Sequence, residues 1–156
     1  MARIAMGERT EVFCRMEDAA RAKNERNDCA VKAVAIVCDV TYDEAQAMLK
    51  RFGRKDGDGT SFFAIREAVK AFGKTPREWS YLDWQAFIQL YPGRAKELSW
   101  ITTHHPVRYK KVWDAKINTP VLLFTRGHVA AYRDGKLHDW SVGRALRAWS
   151  IWSITE

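Results

Sequence analysis

Hydrophobic and polar positions divide this chain into a helical first half and a strand-rich end. Residues 30–38, Ala-Val-Lys-Ala-Val-Ala-Ile-Val-Cys, are apolar everywhere except Lys32. The polar stretch Asn24-Glu25-Arg26-Asn27-Asp28 precedes them, and Asn27 or Asp28 suits an N-cap. The pattern predicts a helix over 28–38, buried nearly all round, with Cys29 in its first turn. Thr41-Tyr42-Asp43-Glu44 is a capping box, followed at helical spacing by Ala45, Met48, Leu49 and Phe52 up to Gly53. Gly59-Thr60-Ser61 opens a further helix with Phe62, Ile65, Val69 and Phe72 on one face and Gly73 as its stop. Residues 11–23 read as a helix or an irregular lead-in, and 83–91 as a short helix closed by Tyr91-Pro92-Gly93. The stretch 94–118 carries the weakest pattern, with helical turns expected before Pro106 and near Tyr109–Trp113.

From Pro120 the period changes from 3.6 to two. Val121–Thr125, His128–Arg133, Lys136–Ser141 and Leu146–Ile154 read as four strands, and Asp134-Gly135 as a two-residue hairpin loop. Helices first and an antiparallel sheet last predict an α+β fold. The expected organisation is one domain over residues 1–156, with a helical part at about 11–115 and a sheet part at about 120–155. The hairpin loop fixes a register: Arg133 opposite Lys136, Ala131 opposite His138, Ala130 opposite Asp139. Asp139 then shares a face with His128, roughly 7–8 Å away by backbone, while His138 points the other way.

Composition narrows the function classes. At 156 residues and 47% hydrophobic content the chain can bury a sizeable core, and seven tryptophans argue against disorder. No apolar run approaches membrane-spanning length and the amino terminus lacks a signal-like core, so a soluble, cytoplasmic protein is expected. Three cysteines disfavour a disulfide framework. Cys29 and Cys38 stand roughly 900° apart on a helix, on opposite sides. No cysteine pair has metal-ligand spacing, so neither a metal nor another cofactor is expected. Asp56-Gly57-Asp58-Gly59-Thr60 reads as a turn and N-cap rather than a calcium loop, because Ser61 stands where that loop needs glycine. The formal charge of +7 is spread over Arg51–Lys55, Arg108–Lys111 and Arg144–Arg147. It reads as a solubilising surface, with a nucleic-acid or acidic-partner surface as the alternative.

Cys29 at a helix start, where the free N–H groups favour an anion, reads as a nucleophile. His128 in Arg126-Gly127-His128-Val129 reads as its base, and Asp139 in Leu137-His138-Asp139-Trp140 as the carboxylate that orients the base. Asp28 opposes thiolate formation at its neighbour unless it is pinned as a cap.

The order Asn-Asp-Cys at a helix start, then Gly127-His128-Val129-Ala130, an Asp-Gly turn and His138-Asp139-Trp140, resembles the papain-like cysteine peptidase superfamily. The similarity is to its compact bacteriocin-processing (C39-like) members and small phage-encoded relatives, and it spans roughly residues 24–154. It implies a papain-like fold, with the Cys29 helix packed on a C-terminal antiparallel sheet of about four strands. It also implies Cys29 as nucleophile, His128 as general base and acid, Asp139 as imidazole orienter, and a peptide or protein substrate. That family usually places a glutamine about six residues before the cysteine as oxyanion donor, and Lys23 stands there. Asn24, Asn27 or the Cys29 backbone N–H are the remaining candidates. NlpC-type cell-wall peptidases share the Cys–His order but often use a second histidine, a role open to His138 only after a register slip. The rival expectation is a binding or virion-structural protein that kept the scaffold without turnover. It would work in a host cytoplasm or virion, with a virion or host protein as partner and Trp79, Trp84 and Trp100 as exposed contact aromatics.

Overall fold

The computed structural model describes residues 9–79, 119–125, 127–134, 136–140 and 150–156, together with the backbone of residues 107–108 and 145–146. Four helices come first: α1 (Glu11–Ala22), α2 (Cys29–Cys38), α3 (Tyr42–Arg51) and α4 (Phe62–Ala71). Three begin as the sequence dictates. The Thr10 hydroxyl accepts from the Phe13 N–H, Thr41 and Glu44 form the reciprocal capping box, and Ser61 accepts from the Ala64 N–H. Each side chain satisfies an N–H that the first helical turn leaves without a partner.

α2 differs. Asp28, one of the two N-cap candidates, occupies the N-cap position but makes no side-chain capping bond. Its carboxylate instead accepts from the Tyr42 hydroxyl at 2.7 Å and lies 3.3 Å from the Lys32 ammonium. α2 supplies the centre of the core, with Ala30, Val31 and every residue from Ala33 to Cys38 buried. Asp39, at φ 56°, ends it in the left-handed region, where its N–H and that of Val40 return to the Ile36 and Ala35 carbonyls.

The strands are β1 (Thr75–Glu78), β2 (Val107–Arg108), β3 (Val121–Thr125), β4 (His128–Arg133), β5 (Lys136–His138), β6 (Ala145–Leu146) and β7 (Ser150–Thr155). The main sheet is antiparallel throughout, in the order β1-β7-β3-β4-β5, so the fold is α+β. The hairpin register is the expected one: Ala131 faces His138 and Arg133 faces Lys136 across a two-residue loop, with Asp134 at φ 54°. Leu122, Phe124, Val129, Ala131, Trp152 and Ile154 join the helices in one core cluster. Val121, Leu123, Ala130, Tyr132 and Ile151, on the alternate positions, are buried as well. A strand buried on both sides reads as a continuous apolar run rather than an alternation, as 121–124 does.

Several expectations need correction. The third strand stops at His138 rather than Ser141, so Asp139 lies one residue beyond the ladder. The stretch 146–154 is not one strand: Ala145–Leu146 pairs with Val107–Arg108 as a separate two-stranded ribbon, and the main-sheet strand begins at Ser150. The sheet also recruits Thr75–Glu78 from what was expected to be the helical part. This edge strand is largely exposed and contains Pro76, so it carries none of the apolar alternation that marks a strand; proline, which has no N–H to donate to a ladder, is tolerated on an edge, and β1 pairs with β7 alone among the described strands. The helix expected at 83–91 and the turns expected within 94–118 fall outside the described residues, apart from Val107–Arg108, which are extended.

α2 lies along β4, and the two run in the same direction. Near the far end, Arg133 donates to the Ile36 carbonyl at 2.8 Å and lies 3.3 Å from the Asp39 carboxylate. At the near end, Cys29 meets His128.

Candidate active site

Helix and strand starts converge on one pocket of about 450 Å³. It is lined by Asn27, Asp28, Cys29 and Lys32 from the start of α2, Phe13 from α1, Gly59 from the loop before α4, and Gly127, His128, Asp139 and Trp140 from the sheet. Cys29 is the first residue of α2 and is half-buried. Burial alone would push its thiol up. The His128 ring and the backbone N–H groups of Val129 and Ala30 all hydrogen-bond the sulfur, and together they bring its pKa below the usual value. Cys38, at the other end of the same helix, shows what burial does without such partners: its thiol is pushed up to about 11.

His128 opens β4 after a two-residue turn in which Gly127 takes φ +72°, a conformation that glycine adopts without steric cost. Its Nε2 lies 2.8 Å from Asp139 Oδ2. An imidazole has two ring nitrogens, so this bond leaves Nδ1 for the thiol. Burial disfavours the imidazolium, yet the bonds to Asp139 and to Cys29 outweigh it and push the ring up to about 9. A lowered thiol and a raised imidazole favour a thiolate–imidazolium pair near neutral pH. Trp140 sits with its ring centroid 5.3 Å from that of His128 and covers part of the pair.

The structure thus brings Cys29, His128 and Asp139 together, and it separates the two asparagines. Asn27 lines the pocket, where its Nδ2 donates to the Gly57 carbonyl at 2.8 Å. That acceptor fixes which way the amide faces. Asn24 is exposed, at φ 53° in the turn after α1, and is not among the lining residues. It is therefore corrected as an oxyanion candidate: the tight turn at the end of α1 places it on the outer surface. Lys23 faces away as well, 3.2 Å from the Asp43 carboxylate.

His138 stands on the other face of the hairpin, buried. Its Nε2–H donates to the Arg133 carbonyl at 3.1 Å, and its Nδ1 lies 2.7 Å from the Thr10 hydroxyl. It ties the start of α1 to β5 and takes no part in the pocket. Trp79, expected as an exposed contact aromatic, is half-buried and donates to the Ser153 hydroxyl at 2.8 Å. Trp84, Trp100, Lys110 and Lys111 lie outside the described residues.

Two groups of site residues escaped sequence reasoning. Lys32 stands one helical turn after Cys29 on the same face, with its ammonium 5.3 Å above the Phe13 ring and beside Asp28. The signal was present in the sequence as the single charge in an apolar helix, at spacing i+3 from the cysteine. Asp28 is thus paired with Lys32 and accepts from a Tyr42 hydroxyl that burial and the carboxylate itself hold protonated, so it does not confront the thiolate uncompensated. The second group is the buried cluster around Glu25 and Arg54, which has no local signature.

Among the described residues no cluster of three or more histidine, cysteine or acidic side chains could hold a metal ion, and no helix is long and apolar enough to cross a membrane. Comparisons with family models, with curated proteins and with solved structures found no match. The chemistry of the pocket is therefore argued from its own atoms.

Proposed function

We propose that this chain is a cysteine hydrolase of papain-like type, cleaving an amide or related acyl bond through Cys29, His128 and Asp139. The observation that carries the reading is the double engagement of His128, bonded to the thiol on one side and to the Asp139 carboxylate on the other, within one pocket. The Cys29 thiolate attacks the substrate carbonyl, and the charge that develops on oxygen is met by the Cys29 backbone N–H, which has no partner within the helix at its first position, and by the second N–H of the Asn27 amide. His128, protonated, gives its proton to the leaving group as the tetrahedral intermediate collapses to a thioester. It then takes a proton from the water that releases the acid and regenerates the thiol. Asp139 keeps the ring oriented and stabilises its charged form throughout. A peptide or protein is the substrate class this arrangement suits.

The test is site-selective alkylation. With iodoacetamide at pH 6, Cys29 should be modified faster than the exposed Cys14 or the buried Cys38. Labelling of Cys29 no faster than Cys14 would mean that no activated thiol exists.

A further inference from the structure

The loop that carries Asn27 into the pocket is held by a buried carboxylate. Glu25 is only 2% exposed at its side chain and collects four donors from three parts of the chain. They are Gln46 of α3 at 2.7 Å, Arg54 beyond α3 at 3.0 Å, the Gly57 N–H at 2.6 Å and the N–H of Arg26 at 3.1 Å. Arg54, fully buried at its side chain, also donates to the Arg26 carbonyl at 3.3 Å. Gly57 serves both sides: its N–H binds Glu25 while its carbonyl receives the Asn27 amide. Burial alone would raise the Glu25 carboxyl, but these donors hold it down at about 2. Between them the backbone turns left-handed at Asn24 and Asn27, with φ 53° and 51°, a shape that asparagine tolerates and that needs outside support.

We infer that Glu25 and Arg54 are positioning residues for the oxyanion donors: the ion pair and the 54–57 turn hold the 24–28 loop so that the Asn27 amide and the Cys29 N–H face the same point. The inference rests on the hydrolase reading and assigns work within it. The thiolate–imidazolium pair is held by α2, β4 and Asp139, none of which the clamp touches. The clamp should govern acyl transfer, which needs an oxyanion site, and not alkylation at a saturated carbon, which does not.

The experiment compares two reagents on one thiol. p-Nitrophenyl acetate transfers its acetyl group to the Cys29 sulfur and releases p-nitrophenolate through a tetrahedral intermediate; iodoacetamide alkylates the same sulfur directly. Glu25→Gln leaves one acceptor oxygen and turns an NH₂ toward donors. It should slow acetylation about tenfold to a hundredfold, as a displacement of roughly 1 Å in oxyanion geometry does, while alkylation and its pH profile stay in place. Equal loss of both rates, or loss of neither, overturns the inference. Should Glu25→Gln fail to fold, Gln46→Met removes one of the four donors, and the same split, smaller, is expected or the inference fails. Cys29→Ala separates the two levels: if the unsubstituted protein is not acetylated at Cys29, the hydrolase reading and the clamp fall together. If it is, and Glu25→Gln matches it, only the clamp falls.

Discussion

Replacing Asp139 by asparagine isolates the carboxylate's part in the site. The side chain is 4% exposed and Oδ2 lies 2.8 Å from His128 Nε2. Asparagine is isosteric and keeps an oxygen for that N–H, so the fold should persist. What disappears is the charge. A hydrogen bond to a buried ion is worth about 1.5–3 kcal/mol, or about one to two pKa units at 1.36 kcal/mol each. His128, now raised from the ordinary 6.5 to about 9, should fall back by that amount, since Asp139 is the first of the groups that raise it. The thiolate is stabilised by the imidazolium, so the thiol pKa should rise in parallel. On the limb below its midpoint the thiolate fraction changes tenfold per pH unit, so alkylation of Cys29 should slow about 10- to 100-fold there. Above the new midpoint the two proteins should converge. The assay is the rate of carbamidomethylation of the Cys29 peptide by mass spectrometry from pH 5 to pH 9. His138→Asn should leave the profile where it is, because His138 bonds Thr10 and Arg133 instead of the thiol's partner. Coincident profiles for Asp139→Asn and the parent protein would refute the reasoning, as would a shift produced by His138→Asn instead.

Lys32→Met takes the ammonium away from the nearly buried Asp28, which keeps its bond from the Tyr42 hydroxyl, and should cost about 2–3 kcal/mol in urea unfolding; Asp28→Asn combined with it should recover part of that loss. The His138 pKa is lowered chiefly by burial, so the unfolded chain binds its proton first: stability should fall as pH drops below about 6.5, and His138→Gln should flatten that slope. His128 runs the other way. Its folded-state pKa is raised, so its contribution is complete below about 6.5 and is lost as pH climbs through about 9, a loss that Asp139→Asn should diminish. The Glu25 carboxylate, held at about 2 against an ordinary 4.5, contributes stability above about 4.5 that disappears toward pH 2; Glu25→Gln should remove this acid limb from the unfolding curve.

Local chemistry made much of the fold legible. Thr10, Thr41 and Ser61 each stand before a helix whose first N–H groups they satisfy, and that requirement operates within four residues. The register of the Asp134-Gly135 hairpin follows from a two-residue loop and the alternation of strand faces, both local. β1 was illegible for the complementary reason. Thr75-Pro-Arg-Glu has no apolar face, and what makes it a strand is β7, far along the chain, offering Ser153, Ile154 and Thr155 as partners. Asp139 shows the limit of register reasoning: the ladder ends at His138, yet the residue after it keeps the face that the alternation assigned and reaches His128 from a bend.

The site divides along the same line. Cys29, His128 and Asp139 are each marked by their own surroundings: a helix start after polar residues, a glycine turn into a strand, and a hairpin return. Glu25 and Arg54 have no such mark, because an acid and an arginine 29 positions apart look like two surface charges until the chain folds them into contact. Removing both from water is costly, and a buried ion pair of this kind is weak support for stability, since apolar side chains of similar volume often hold a core as well or better. Apolar replacements could not, however, bond the Gly57 N–H, the Arg26 N–H and the Arg26 carbonyl in a loop that turns left-handed twice. The pair therefore specifies the shape of the loop more than it adds to the stability of the fold. In the proposed mechanism the loop's shape matters most where Asn27 and the Cys29 N–H are to meet one oxygen atom.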